Sequence, residues 1–462
     1  MSVHSSRKPS LRSELEKDNC GFGLIAHMDG EASHWLVETA VSALTRLTHR
    51  GAVAADGKSG DGCGLLMKRP STFLRTVAAE AGLGLAEDFA VGCVFLSRAP
   101  AKAKKARTIL EQALTAHGLP VAGWRTLPIN PEACGRQALE SLPAIEQIFI
   151  NAPADVDQQL FERRLFSARR QAEKQLEPVD EDFYIPSLSS RVLSYKGLVL
   201  PANLKLFYRD LDDERLASSL CVFHQRFSTN TLPRWRLAQP FRYLAHNGEI
   251  NTIQGNRNWA IARANRFQTP LMPNIGETLP LVSPTGSDSC SLDNMVDVLL
   301  TGGLDLFQAV RLLLPPAWQN VYTMDADLRA FYEYHSQHVE PWDGPAGLVL
   351  TDGRHAACAL DRNGLRPARW VITRDRHITL ASEIGVYDYS PADVVRKGRL
   401  KPGEMLAADT QTGKLLLSQD IDNRLKCQKP YKHWLQLYAR TLESRLPDNS
   451  VREGLQPDRL AV

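Results

Sequence analysis

The chain has 462 residues, 43% of them hydrophobic, enough to bury one large core or two ordinary ones with no metal or disulfide needed to hold the fold together. Its 55 Lys and Arg nearly balance 52 Asp and Glu, which argues against a broad field for nucleic acid or an anionic membrane and favours a small-molecule substrate. No apolar run approaches the ~20 residues of a membrane helix, and the opening MSVHSSRKPSLRSELEKDN lacks the apolar stretch of a secretory leader, so a cytoplasmic protein is expected. That opening is basic and Ser-rich in the manner of an organelle transit peptide, a reading that Glu14, Glu16 and Asp18 weaken.

Taken in chain order, GFGLIAHMD (21–29) has the pattern of a strand and HWLVETAVSALTRL (34–47) that of a helix with one apolar face. A strand is predicted at 89–97, a helix at 106–117, a strand at 145–152 and a helix at 161–176. Beyond these come a strand at 219–227, helices at 253–267 and 291–302, and strands at 346–352, 356–361 and 377–382. LKPGEMLAADTQTGKLLLS (400–418) has the pattern of two closing strands around a Gly-containing turn. Strands interleaved with helices in this way predict a layered α+β architecture rather than a strict βαβ array. Periodicity leaves the strand order open. From about residue 423 the chain turns polar and irregular, with apolar anchors in PYKHWLQLYARTL (430–442), and it ends at DRLAV with no closing element, as a larger chain cut short would.

The eight cysteines (20, 63, 93, 134, 221, 290, 358 and 427) are scattered singly. They form no Cys-x-x-Cys clip for a metal and no disulfide framework, so most are expected to be small buried hydrophobes, and no metal site is expected. Cys20 differs in standing before Gly21-Phe22-Gly23 at the head of a strand, where glycines permit close approach by a substrate. On this motif alone a half-buried structural cysteine is the default reading. His49-Arg50-Gly51-Ala52 and the run Gly60-Asp61-Gly62-Cys63-Gly64 suggest a phosphate cradle, but the spacing to Gly57-Lys58-Ser59 does not match a P-loop. Thr301-Gly302-Gly303-Leu304-Asp305 approximates a pyrophosphatase loop, yet it has Leu306 where serine belongs and lies between two helical patterns. It is read as an interhelical turn.

Three further motifs carry possible chemistry. In His224-Gln225-Arg226-Phe227-Ser228-Thr229-Asn230-Thr231, an arginine leaving a strand can grip a carboxylate with two parallel hydrogen bonds, although taken singly it is better explained by a surface salt bridge. His246-Asn247-Gly248-Glu249 is either a tight turn or a pair of donors, the Asn247 amide and the Gly248 N–H, aimed at one oxyanion. Asp288 in Gly286-Ser287-Asp288-Ser289 is by default a helix N-cap and otherwise a partner for a ligand ammonium.

In this order the motifs resemble the glutaminase domain of class II glutamine amidotransferases, members of the N-terminal nucleophile hydrolases. More narrowly, CGFGLIAHMDG, HRGAVAADGKSGDGCGLL, HQRFSTNT, FRYLAHNGEINT and SDS are similar to the N-terminal part of glutamate synthase large chains, over about residues 20–420. The resemblance implies a four-layer αββα sandwich. It also implies Cys20 as nucleophile, Arg226 as clamp for the glutamine α-carboxylate, Asn247 and Gly248 as oxyanion donors, and Asp288 as partner of the α-ammonium. His49 and Arg50 match the family pattern without an assigned contact.

The implied layout is a propeptide at 1–19, a glutamine amidotransferase domain at 20–422, and at 423–462 a linker or the start of an absent downstream domain. The implied reaction is hydrolysis of L-glutamine to glutamate and ammonia, with ammonia destined for reductive amination of 2-oxoglutarate. FMN and an iron–sulfur cluster would belong to the absent synthase part, with no cofactor for this chain, and partners would be a separately encoded synthase region and a small reductase subunit. An N-terminal cysteine supplies its own base, because an α-amine of pKa about 7.7–8.0 is partly neutral at physiological pH; an uncleaved chain, with an amide there, is expected to be inactive. Three alternatives stand beside this reading. One is an amidotransferase serving another acceptor, one an acylase for a different amide, which the pairing of Arg226 with Asp288 disfavours, and one a truncated non-catalytic protein that binds glutamine.

Overall fold

The structure, a computed structural model, describes residues 20–226 and 233–440. Within them lie sixteen strands: β1 (Gly21–His27), β2 (Ser59–Lys68), β3 (Phe89–Leu96), β4 (Val121–Thr126), β5 (Ala144–Asn151), β6 (Tyr184–Ser189), β7 (Val192–Val199), β8 (Leu220–Gln225), β9 (Leu244–Gly248), β10 (Ala346–Thr351), β11 (His355–Leu360), β12 (Arg369–Thr373), β13 (His377–Ala381), β14 (Val394–Arg399), β15 (Met405–Asp409) and β16 (Lys414–Leu416). They form a seven-stranded sheet in the order β14-β12-β13-β1-β8-β2-β7, a five-stranded sheet β16-β15-β11-β10-β9 and a four-stranded sheet β4-β5-β3-β6. Each neighbouring pair is antiparallel.

The period-2 pattern of the strands explains how the two larger sheets stack, since alternate side chains point to opposite faces. In β1, Phe22, Leu24 and Ala26 enter the core between the two sheets, while Ile25 enters the core on the far side of the seven-stranded sheet. In β10, Val349 faces the inter-sheet core, whereas Ala346, Leu348 and Leu350 face outward. The outward face of the seven-stranded sheet is covered by the helix His34–Arg46 through Leu36, Val37, Ala40 and Leu44. That helix starts where the Ser33 hydroxyl accepts from the Leu36 N–H at 3.2 Å. The outward face of the five-stranded sheet is covered by the helices Asp288–Thr301, Leu306–Leu313 and Ala326–Ser336. Helix, sheet, sheet, helix: this is the expected αββα sandwich. The four-stranded sheet is an addition, with one face on the seven-stranded side through Val91, Phe95, Phe149 and Tyr184 and the other under the helices Pro100–Ala116 and Gln158–Leu176.

The structure adds detail to these expectations. The glycine-rich run at 60–64, already unlike a P-loop in its spacing, lies in strand β2. The predicted helix at 253–267 stops at Ala262 and continues as a short 3-10 turn, Ala264–Arg266. Thr301–Asp305 is an interhelical turn as expected, and the Asp305 carboxylate caps the next helix by accepting from the Gln308 N–H at 2.8 Å. The irregular segment expected after residue 423 is helical at Ser418–Lys426 and Tyr431–Tyr438. A boundary at residue 422 therefore falls inside a helix, and Leu425 and Tyr431 beyond it are buried in the helical layer's core. The proposed propeptide, residues 1–19, lies outside the described residues. Among those described, no helix is long and apolar enough to cross a membrane.

Candidate active site

Three strand ends meet where the chemistry was expected. Cys20, half-buried, immediately precedes β1. β8 runs antiparallel beside it with Gly21 opposite Gln225, so the register carries Arg226 to the level of Cys20. From the second sheet, β9 ends on Asn247 and Gly248. The Asn247 side-chain amide donates to the Cys20 carbonyl at 2.8 Å, joining residues that stand far apart in the chain. Asn247 is buried, so its amide is held in a fixed direction.

Gly248 is not part of a two-residue turn: it is the last residue of β9, paired with Ala346 of β10. Its φ is +140°, and a Cβ there would overlap the Pro345 carbonyl oxygen, so glycine is the residue that fits.

Asp288 also departs from the default reading. The N-cap of the helix Asp288–Thr301 is Ser287, whose hydroxyl accepts from the Cys290 N–H at 3.1 Å. The Asp288 carboxylate is thereby left to accept from the Ile250 N–H at 2.9 Å and the Ser289 N–H at 2.7 Å. Because Ile250 follows Gly248 by two residues, this bond holds the carboxylate near the end of β9. Two residues that sequence reasoning passed over complete this corner. The His246 ring Nδ1 lies 2.8 Å from the Ser289 hydroxyl and 3.9 Å from Asp288 Oδ2, and both His246 and Ser289 are buried. They flank Asn247 and Asp288 in the sequence, and that adjacency was the available signal.

Arg226 is not a surface salt bridge. Its Nε lies 3.6 Å from Asp61 Oδ2, and both side chains are largely buried. The residues following it, 227–232, lie outside the described residues. His49 and Arg50 both face Glu383, at 3.1 Å and 2.9 Å, an acidic partner that the sequence did not indicate. His224, two residues before Arg226, is buried and lies 3.0 Å from the His246 carbonyl; burial pushes its pKa down to about 3, so it is neutral.

A half-buried cysteine at a strand head, a fixed amide on its carbonyl, a carboxylate near that amide and an arginine across the ladder thus stand together on an αββα sandwich. The chain matches the family described as class II glutamine amidotransferases over residues 20–434, and it belongs to that family. It is 40% identical over 447 residues to the glutamate synthase [NADPH] large chain of Bacillus subtilis (strain 168), covering 96% of this chain and 29% of that one. It is 42% identical over 427 residues to the corresponding large chain of Azospirillum brasilense, covering 92% and 28%. To the ferredoxin-dependent glutamate synthase 2 of Synechocystis sp. it is 40% identical over 435 residues, covering 93% and 28%. The chain is thus homologous to the glutaminase part of glutamate synthases and spans less than a third of the length of these relatives.

Proposed function

We propose that this domain hydrolyses L-glutamine to L-glutamate and ammonia with Cys20 as nucleophile, acting once residues 1–19 have been removed. The observation that supports it best is the bond from Asn247 to the Cys20 carbonyl. A primary amide has two N–H donors. One is engaged by Cys20 and sets the orientation, leaving the other for the oxygen of a substrate carbonyl under attack by the adjacent thiol. In the reaction, the free α-amine of Cys20 takes the thiol proton, the sulfur attacks the side-chain amide carbon, and ammonia leaves with that proton. Water then hydrolyses the glutamyl thioester. Asn247 and the Gly248 N–H stabilise the oxyanion, each donor contributing ~2.7–4 kcal/mol to the transition state. Arg226 binds the α-carboxylate and Asp288 the α-ammonium. Leaving either substrate charge unpaired in a desolvated site is costly, so a peptide-bound glutamine is rejected.

We place the ammonia acceptor, 2-oxoglutarate, and the FMN and iron–sulfur cluster of the reductive step in sequence outside this chain. They would lie on a separately encoded or continuing synthase region, with a small reductase subunit as further partner, in the cytoplasm. Ammonia release from L-glutamine by a chain beginning at Cys20 is the test. It is expected to disappear in Cys20→Ser and in a chain that retains residues 1–19; undiminished release by Cys20→Ser refutes the assignment.

A further inference from the structure

The run Gly60-Asp61-Gly62-Cys63-Gly64 has no task in the reaction above. Asp61 is out of character in it, a carboxylate 6% exposed in a strand of small residues. An isolated buried charge is costly. Burial pushes its pKa up to about 6, while the Ala52 N–H and the Arg226 charge pull the other way. The charged group that faces it is Arg226, with Nε 3.6 Å from Oδ2.

The same segment also holds Arg226 by its backbone. The Arg226 N–H donates to the Gly62 carbonyl at 2.9 Å, and Arg226 has φ of +82°, a conformation that costs a non-glycine residue ~1–3 kcal/mol and persists only when its surroundings enforce it. Gln225, one residue earlier, is buried against Gly51, where a Cβ would overlap the Gln225 amide and approach Asp61 Oδ1 to 3.2 Å. The His49–Ala52 turn, the Asp61 segment and the end of β8 are therefore one packed unit with the Arg226 side chain leaving from it.

We propose that Asp61 is a positioning residue for substrate specificity: it holds the Nε edge of Arg226 so that the two terminal guanidinium nitrogens are presented to the α-carboxylate of glutamine. This rests on the Arg226 assignment above. A guanidinium is a rigid fork, and orienting one edge orients the other donors with it. Asp61 then acts on binding of the α-carboxylate and not on the attack at the side-chain amide.

The test is a double-mutant cycle on the processed chain, with kcat and KM for L-glutamine measured for Asp61→Asn, Arg226→Gln and the pair. Asp61→Asn is expected to raise KM about tenfold, the scale of one charge-assisted contact, with kcat nearly unchanged, and to add nothing in the Arg226→Gln background. Asp61→Glu, which restores the charge, should recover part of the KM and serves as the informative variant if the Asn chain does not fold. An unchanged KM in Asp61→Asn, a loss confined to kcat, or equal losses in both backgrounds overturns the proposal. Should Arg226→Gln itself leave KM unchanged, the clamp reading falls and this inference falls with it, an outcome distinct from failure of Asp61 alone.

Discussion

The Asn247 amide is pinned to the Cys20 carbonyl at 2.8 Å, and its position owes little to either residue alone. β1 places one partner and β9 the other, on facing sheets. If Asn247 and Cys20 act as proposed, replacing Asn247 with Ala removes the oriented donor and leaves Cys20 in place, so kcat for glutamine hydrolysis should fall by about 10²–10³. KM should change little, which steady-state kinetics on the processed chain will show. Cys20, Asn247, Gly248, Arg226 and Asp288 each sit in a short motif that the sequence singles out, although each motif alone allows a structural reading as well as a chemical one. The parts played by Asp61, His246, Ser289 and Glu383 were not legible: their partners are fixed by strand register and helix placement, as when Glu383 meets Arg50 or Asp61 meets Arg226. Ser287 took the cap expected of Asp288, a competition that only the backbone geometry settles.

The elements that carry these residues are tied together by a buried charge cluster. Glu173, on the helix Gln158–Leu176, pairs with Arg169 and Arg170 on its own helix and with Arg242 at the approach to β9. Arg169 also reaches Asp297 on the helix that begins with Asp288. The backbone N–H groups of Arg242 and Tyr243 donate to Asp293 of that helix at 3.2 and 2.9 Å. Burial pushes Glu173 up, but the three arginines outweigh it and hold its pKa at about 2. A carboxylate whose folded pKa lies below its unfolded value stabilises the fold above the unfolded value and loses that contribution as the pH falls through the folded one. The melting-temperature difference between the parent chain and Glu173→Gln should therefore be full above about pH 4.5 and narrow steadily toward pH 2. A difference constant across that range would contradict it. Alternating strands such as β1 and β10 and the amphipathic helix His34–Arg46 were legible at this scale, because one periodicity dominates each. β2 was hidden by its glycines, which have low strand propensity and are used here for close strand contact. β14, with Arg396, Lys397 and Arg399, is an edge strand whose charges mask its period.

At the scale of the whole molecule, the two larger sheets bring the Cys20 carbonyl and the Asn247 amide together across their interface. Seven other cysteines are present, and six of them are buried: Cys63, Cys93, Cys134, Cys221, Cys290 and Cys358. Burial pushes the thiols of Cys93, Cys134 and Cys290 to about 12, 12 and 11 and drives the other three upward as well, so these six are poor nucleophiles at neutral pH. Cys427 is exposed and stands apart on the last helices. The layered α+β class was legible from alternating strand and helix patterns, but the sheet order and the four-stranded addition were not, since they depend on long-range pairing such as β1 with β8 and β13. The most direct measurement is peptide mapping after treatment of the processed chain with an electrophilic glutamine analogue, a diazoketone. The account predicts a single glutamine-protectable adduct, on Cys20, with ammonia release lost in proportion to labelling and no adduct in the chain that keeps residues 1–19. Protectable labelling on any other cysteine, or ammonia release that survives complete modification of Cys20, would contradict it.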